Sequence, residues 1–212
     1  MPDLADQLTA LGAATLGESG GRPMSARIRA VWSGARLAAP AFAVRCTPGD
    51  NLAIHVAVAR APAGSVLAAE VGIERERGYW GEVLTTAAKA RGIAGLVIDG
   101  CVRDVAALEE LGFPVFSSGV ALPGATKELP GAAGGSAEVG DVRVQTGDWL
   151  VGDADGVTVV AATELHDVLA AGTARAQREQ TLFAALRDGK TTVELLGLDP
   201  TPIDDGADDE DP

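Results

Sequence analysis

The sequence predicts an α/β protein with mixed sheets flanked by helices. Three observations carry that expectation. Between residues 41 and 119, apolar runs of strand length alternate with helical segments, as in a parallel or mixed sheet covered by helices. The 212 residues are 47% hydrophobic and 22% charged, enough to bury a sizeable core. Aromatics make up only 4%, so Ala, Val, Leu and Gly must do the packing, which suits close helix–sheet contacts.

In order along the chain, DLADQLTAL (3–11) reads as a short helix with Asp3 as its cap. GESGGRP (17–23) is loop, and a strand near 41–46 stops at the turn Pro48-Gly49-Asp50. NLAIHVAVAR (51–60) is helical, APAGS turns the chain, and SVLAAEV (65–71) is a buried strand. EVLTTAAKAR (82–91) has helical composition, with Gly92 as its stop. A buried strand at 94–99, a short helix DVAALEEL ended by Gly112, and the strand PVFSSG follow. Residues 122–140 are loop-rich. DVRVQTGDWLVGDADGVTVVAA (141–162) alternates and turns as antiparallel strands do, completing the same core. A long helix spans 164–189. The expected organisation is one domain over 1–195 and an acidic, disordered tail over 196–212.

Charge and composition exclude several functions. A formal net charge of −13 argues against nucleic acid, whose binding rests on neutralising phosphates. Cys46 and Cys101 lie far apart in apolar runs and read as buried free thiols. Two histidines and no Cys/His cluster make a zinc site improbable. MPDLADQLTALG has no basic start and no long apolar core, and no run reaches membrane-spanning length, so a cytoplasmic protein with no membrane partner is expected.

Motifs for dinucleotides, P-loop phosphates and the serine nucleophile elbow are absent. His55 and His166 read as packing or surface, Asp153 and Asp155 as an ordinary D-x-D-G turn, and Glu74 and Glu76 as solvated. The pair Arg103–Asp104 differs. It follows the apolar strand closely, and ligands gather beyond the carboxyl ends of such strands. Arginine supplies a planar fork for a carboxylate, and aspartate a hard oxygen for Mg²⁺. Upstream, GYWGEVL places backbone N–H groups at a helix start, a natural anion cradle. Together the two segments could hold an α-keto acid beside a divalent metal. The plain alternative is a capping Asp104 beside a surface Arg103.

Glu82, then twenty residues, then Arg103-Asp104, resembles the Asp-x20-Arg-Asp signature of the class II pyruvate aldolases that cleave 4-hydroxy-4-methyl-2-oxoglutarate. These belong with the regulator of ribonuclease activity A (RraA)-like family. The resemblance covers roughly 25–185 and includes GDNLAIHVAVARAPAGSVLAAEVG, AKARGIAGLVIDGCVRDV, GFPVFSSGVAL and VQTGDWLVGDADGVTVV. It implies a compact domain of the swivelling β/β/α type, assembled as homotrimers or hexamers with sites between subunits.

Carried over by motif, Asp104 would anchor Mg²⁺ or Mn²⁺, partly through water. Arg103 would bind the keto acid and steady its enolate. The backbone of Gly81, Glu82, Val83 and Leu84 would hold the substrate carboxylate, and Glu82 would act on metal-bound water. The sequence departs from the signature at Glu82, longer than aspartate, and at Ala107, where the aldolases carry an acid. Glu179 is the candidate for an acid reaching a neighbouring subunit. The implied function is a metal-dependent lyase acting on a pyruvate-derived keto acid, by retro-aldol cleavage or oxaloacetate decarboxylation, with no Schiff base at Lys89 or Lys127. Its rivals are a non-catalytic protein-binding regulator of the RraA type and a relic site on a structural oligomer.

Overall fold

The computed structural model describes residues 3–203, and the acidic run from Asp204 onward, expected as a tail, lies outside them. In chain order the elements begin with α1 (Leu4–Gly17), β1 (Arg22–Pro23), β2 (Arg29–Ala30), β3 (Leu37–Arg45), α2 (Leu52–Arg60) and β4 (Val66–Glu70). There follow α3 (Glu82–Ala90), β5 (Gly95–Val102), α4 (Val105–Glu110) and β6 (Val115–Val120). The remainder is β7 (Ala132–Ala133), β8 (Ser136–Val139), β9 (Val142–Gln145), β10 (Trp149–Asp153), β11 (Gly156–Val160), α5 (Leu165–Arg187) and α6 (Thr192–Leu196).

The apolar runs become the middle of a nine-stranded mixed sheet, ordered β1-β11-β10-β3-β4-β5-β6-β2, with β7 on β3. Strands β3, β4, β5 and β6 are parallel neighbours. Strand β3 is shared: Leu37–Pro40 pair antiparallel with β10, and Ala41–Arg45 parallel with β4. Successive side chains of a strand face opposite ways, and here both faces are covered. Leu67, Ala69, Leu96 and Ile98 face the layer of α2, α3 and α4. Val66, Ala68 and Val97 face Leu150, Val159 and the β8–β9 hairpin. Each fully buried aliphatic side chain contributes roughly 1.5–3 kcal/mol. Both cores exist because β4 and β5 read as unbroken apolar runs.

The α/β class and mixed sheet therefore match the expectation, and the differences are local. Helix α1 continues past Leu11 to Gly17, but Gly12 breaks its geometry at φ 80°. The second segment restarts because Asp153 Oδ2 accepts the Ala13 amide at 2.8 Å. The D-x-D-G motif is indeed the β10–β11 turn, with the Asp155 amide bonded to Asp153 Oδ1 at 3.0 Å. The loop reading of 122–140 holds only to Gly131, since β7 and β8 follow. Paired glycines at 134–135 hid two short strands, of which β8 buries Ala137 and Val139. Gly100, which could permit a sharp turn between the strand and Arg103, makes none. It lies inside β5 at a register irregularity, where a Cβ would stand 2.7 Å from Val71 Cγ2.

The described residues divide into two compact units between Gly172 and Thr173. In the second, the chain leaves α5 and re-enters helix through a capping box: Thr191 Oγ1 accepts the Glu194 amide at 3.2 Å, and Glu194 Oε2 accepts that of Thr191 at 2.9 Å. Among the described residues no helix is long and apolar enough to cross a membrane.

Candidate active site

Beside the end of β5, the chain before α3 lies parallel to the strand. Trp80 bridges to Val102, the Tyr79 amide donates to Cys101 O at 3.0 Å, and the Arg103 amide donates to Trp80 O at 2.9 Å. This brings the start of α3 against Arg103–Asp104. Trp80 stacks on Phe113 with centroids 5.8 Å apart, and its Nε1 donates to Thr85 Oγ1 at 2.6 Å. That buried tryptophan fixes the first turn of the helix.

Gly81 is the N-cap position of α3 and has no side chain to cap it. Asp104 does so instead: its Oδ2 accepts the Glu82 amide at 3.0 Å. Only glycine fits at 81, since a Cβ there would run into the Asp104 carboxylate. The first intrahelical bond runs from Thr85 N to Gly81 O, so the amides of Val83 and Leu84 precede it and remain as donors. Asp104 itself is left-handed at φ 59°, uncommon outside glycine, and makes no side-chain cap to its own helix α4.

Arg103 stays nearly half exposed, and its Nε lies 3.9 Å from Asp104 Oδ2, too far for a hydrogen bond. Its aliphatic stem crosses Gly78 and Gly81, where a Cβ would stand 2.9 Å from Cδ and 3.2 Å from Cγ respectively. Among the described residues the guanidinium donates no hydrogen bond to a carboxylate, and Asp104 remains its long-range ion-pair partner.

These groups line a cleft of about 170 Å³, smaller than the usual pocket of a drug-sized ligand. Arg103, Asp104, Gly81, Val83 and Leu84 all border it. The Glu82 side chain does not. It is exposed on the first turn, while its amide is spent on Asp104. Glu179 is ion-paired with Arg175 on its own helix at 2.9 Å. Ala107 stands in the middle of α4 and adds no carboxylate.

Sequence reasoning missed the opposite wall. Asn51, His55 and Lys127 border the same cleft. Asn51 Nδ2 donates to Tyr79 O at 2.8 Å, whereas Asn51 Oδ1 and His55 Nε2 are buried and find no hydrogen-bond partner among the described residues. Burial, then the nearby Lys127 charge, push the His55 pKa down, so it is neutral at pH 7. The available signal was the i, i+4 spacing of Asn51 and His55, which sets them on one side of α2. Nothing local in the sequence announces Lys127.

Asp99, from the apolar run itself, serves a different purpose. It is 4% exposed and held by Arg27 at 2.7 Å and Arg75 at 3.0 Å, with Arg27 also gripping Asp141 at 2.6 Å. Cys46 and Cys101 are buried free thiols, as expected.

For a divalent ion the donor set is lean. Among the described residues no cluster of three or more His, Cys, Asp or Glu could hold a metal. Asp104 still offers Oδ1, which accepts no hydrogen bond among the described residues, at a rim open to water. One carboxylate oxygen with room for water and substrate oxygens is a set that Mg²⁺ accepts, because it dehydrates reluctantly and keeps several waters. Asp104 therefore fits such an ion.

A mixed α/β sheet with an arginine–aspartate pair at the exit of a parallel strand, its aspartate capping the start of a neighbouring helix, places the chain among α/β proteins with a cleft at the carboxyl end of the sheet. The chain belongs to the RraA-like family: the family model described as Aldolase/RraA matches residues 1–159. A protein of Halalkalibacterium halodurans named "Putative 4-hydroxy-4-methyl-2-oxoglutarate aldolase" is 37% identical over 130 residues, 61% of this chain and 62% of that one. A protein of the same name from Albidiferax ferrireducens is 35% identical over 131 residues, 58% of this chain and 75% of that one. The chain thus spans less than two thirds of the Halalkalibacterium relative. Among solved structures, Streptomyces coelicolor RraAS2, described as an unusual member of the RNase ES inhibitor RraA family, superposes with a TM-score of 0.75 at 26% identity, covering 88% of this chain and all of that one (100%). An uncharacterised Pseudomonas syringae protein gives 0.80 at 27%, covering 89% and 90%.

Proposed function

We propose that the protein is a divalent-metal-dependent lyase that releases pyruvate from a pyruvate-derived keto acid, either a 4-hydroxy-4-methyl-2-oxoglutarate-like substrate or oxaloacetate. One observation carries this reading: Arg103 and Asp104 share a cleft with the unpaired first-turn amides of α3. The amides of Val83 and Leu84 suit a carboxylate, as helix starts do. Asp104 would hold Mg²⁺ or Mn²⁺, which supplies Lewis acidity that stabilises charge on a keto oxygen. In the retro-aldol reaction the 4-hydroxyl gives up its proton to water and becomes the keto group of the leaving fragment, and in oxaloacetate the 4-carboxylate leaves as CO₂. In both, the electron pair of the broken carbon–carbon bond passes into an enolate, and the Arg103 fork donates hydrogen bonds to the developing oxyanion. Water entering from the open side of the cleft protonates the enolate carbon to give pyruvate; Glu82, whose side chain lies outside the cleft, would act only through such water. Lys127 and the neutral His55 meet the remainder of the substrate. On this reading the protein works in the cytoplasm as a homotrimer or hexamer, with Glu179 the candidate contribution from a neighbour.

The test is pyruvate release from both substrates with Mg²⁺, Mn²⁺ or EDTA, in wild type and Arg103→Met, after subtracting spontaneous metal-catalysed decarboxylation. Metal-dependent turnover that disappears in the variant is expected. No turnover above control from folded wild type would overturn the reading. The likeness to RraA structures then favours the second one, a protein-binding regulator.

A further inference from the structure

We propose that Asp50 is a positioning residue, a single buried carboxylate that holds the start of α2, with Asn51 and His55, in register with the loop that carries Lys127, so that all three face one cleft. The inference rests on the cleft being the keto-acid site. Asp50 is 1% exposed. Its Oδ1 accepts the Leu52 amide at 2.8 Å and so fixes the start of α2, one residue from Asn51. Its Oδ2 accepts three donors from the facing loop: Thr126 Oγ1 at 2.7 Å, Glu128 N at 2.6 Å and Leu129 N at 3.1 Å. Both sequence neighbours of Lys127 are therefore tied to one oxygen.

The rest of the loop is anchored elsewhere. Pro123 O accepts the Gly78 amide at 2.8 Å, and Pro130 O accepts Thr47 Oγ1 at 2.5 Å. Backbone bonds from Thr126 N to Gly49 O and from Asn51 N to Thr126 O, both 2.9 Å, lie beside the carboxylate. Apart from a bond from Lys127 Nζ to Ala125 O at 3.3 Å, the hydrogen bonds of residues 127–129 among the described residues run to Asp50. Among the described residues no cation pairs with it, so its charge is met by hydrogen-bond donors alone. An aspartate that only shaped a turn would need the Leu52 contact and not the other three. This aspartate spans two elements, each presenting side chains to the same cleft.

The chain contains three lysines, Lys89, Lys127 and Lys190, so ¹³C-dimethylated protein gives a readily assigned NMR spectrum. Pyruvate with Mg²⁺ is the probe. The Lys127 signal of wild type is expected to shift on titration. Asp50→Asn should weaken that response about 10-fold and raise KM for oxaloacetate with little change in kcat, the size expected for lost hydrogen bonds to a charged group. Combining it with Lys127→Met should give less than the sum of the two single losses, because part of the Asp50 effect acts through Lys127. Where Asp50→Asn fails to fold, Thr126→Val removes one bond of the clamp and should give a smaller shift of the same kind. Wild-type affinity and KM in the folded variants, or full additivity with Lys127→Met, would overturn the proposal. A wild-type Lys127 signal indifferent to pyruvate, with no turnover, would instead sink the keto-acid reading. The ligand-free spectrum then decides on the clamp: a Lys127 line that moves or broadens in Asp50→Asn upholds it, and an unchanged line ends it.

Discussion

Asp104 caps a helix that is not its own: its Oδ2 accepts the Glu82 amide of α3, 22 residues away in sequence. Its own backbone is left-handed, a conformation asparagine tolerates and alanine does not. Asp104→Asn should therefore keep both cap and backbone, and hold stability within a few tenths of a kcal/mol by comparison with the usual cap ranking. Asp104→Ala should lose roughly 2–3 kcal/mol, from cap and backbone together. Both should lose metal-dependent turnover. Urea unfolding beside pyruvate assays separates the two effects, and an active Asp104→Asn would remove the carboxylate from the mechanism.

Gly81 is fixed by the same contact from the other side. A methyl group there meets the Asp104 carboxylate, so one of them must move. Gly81→Ala should cost about 1–3 kcal/mol, as overpacking does, and should depress turnover. A melting temperature equal to wild type would show that the cap is dispensable.

Arg103–Asp104 could be found in the sequence because an apolar strand followed at once by two charges is a local pattern, and the exit of such a strand is where ligands gather. The α3 cradle could be found for the same reason. Asn51, His55 and Lys127 could not. They meet Arg103 because β3, β4, β5 and β6 are parallel neighbours, so the segments following them emerge at one end of the sheet. His55 looked like packing because its neighbours Ile54, Ala57 and Val58 are packing. Asp50 looked like a turn residue, and its local role is one; its hydrogen bonds to residues 126–129 are a tertiary fact. Glu82 was singled out for its carboxylate, and the structure uses its amide.

Acid should reveal the buried carboxylates. Burial alone would raise the pKa of Asp50, but its four hydrogen bonds, led by that from Glu128 N, outweigh this and hold it down to about 2. Its folded value thus lies below the unfolded one, so its contribution is fully present above pH ~4 and is lost as pH falls toward 2; linkage puts it at roughly 2 kcal/mol. Asp99 adds an effect of the same sign, because Arg27 and Arg75 more than offset its burial. The wild-type urea midpoint should fall steeply between pH 4 and 2, and that of Asp50→Asn less steeply. Parallel slopes would mean that Asp50 titrates normally.

Lys127 borders the cleft, but the proposed chemistry needs no imine. Borohydride reduction in the presence of pyruvate should leave the protein mass unchanged. A product heavier by one reduced pyruvate at Lys127 would replace the metal-assisted route with a Schiff-base one.

Strand β3 divides its length between two partners far apart in sequence: Ala41–Arg45 pair with Val66–Glu70, and Leu37–Pro40 with Trp149–Gly152. The first pairing closes a short stretch of chain, the second one of more than a hundred residues, and distant pairings are slow to form. Every side chain bordering the cleft lies between residues 51 and 127, inside the interval that the second pairing closes. The expected assembly is ordered in time, with the cleft taking shape on a half-finished sheet before β10 and β11 arrive to lock it. Pulse-labelled hydrogen exchange during refolding should find the amides of β4 and β5 protected before those of β10 and β11, and simultaneous protection would rule that order out.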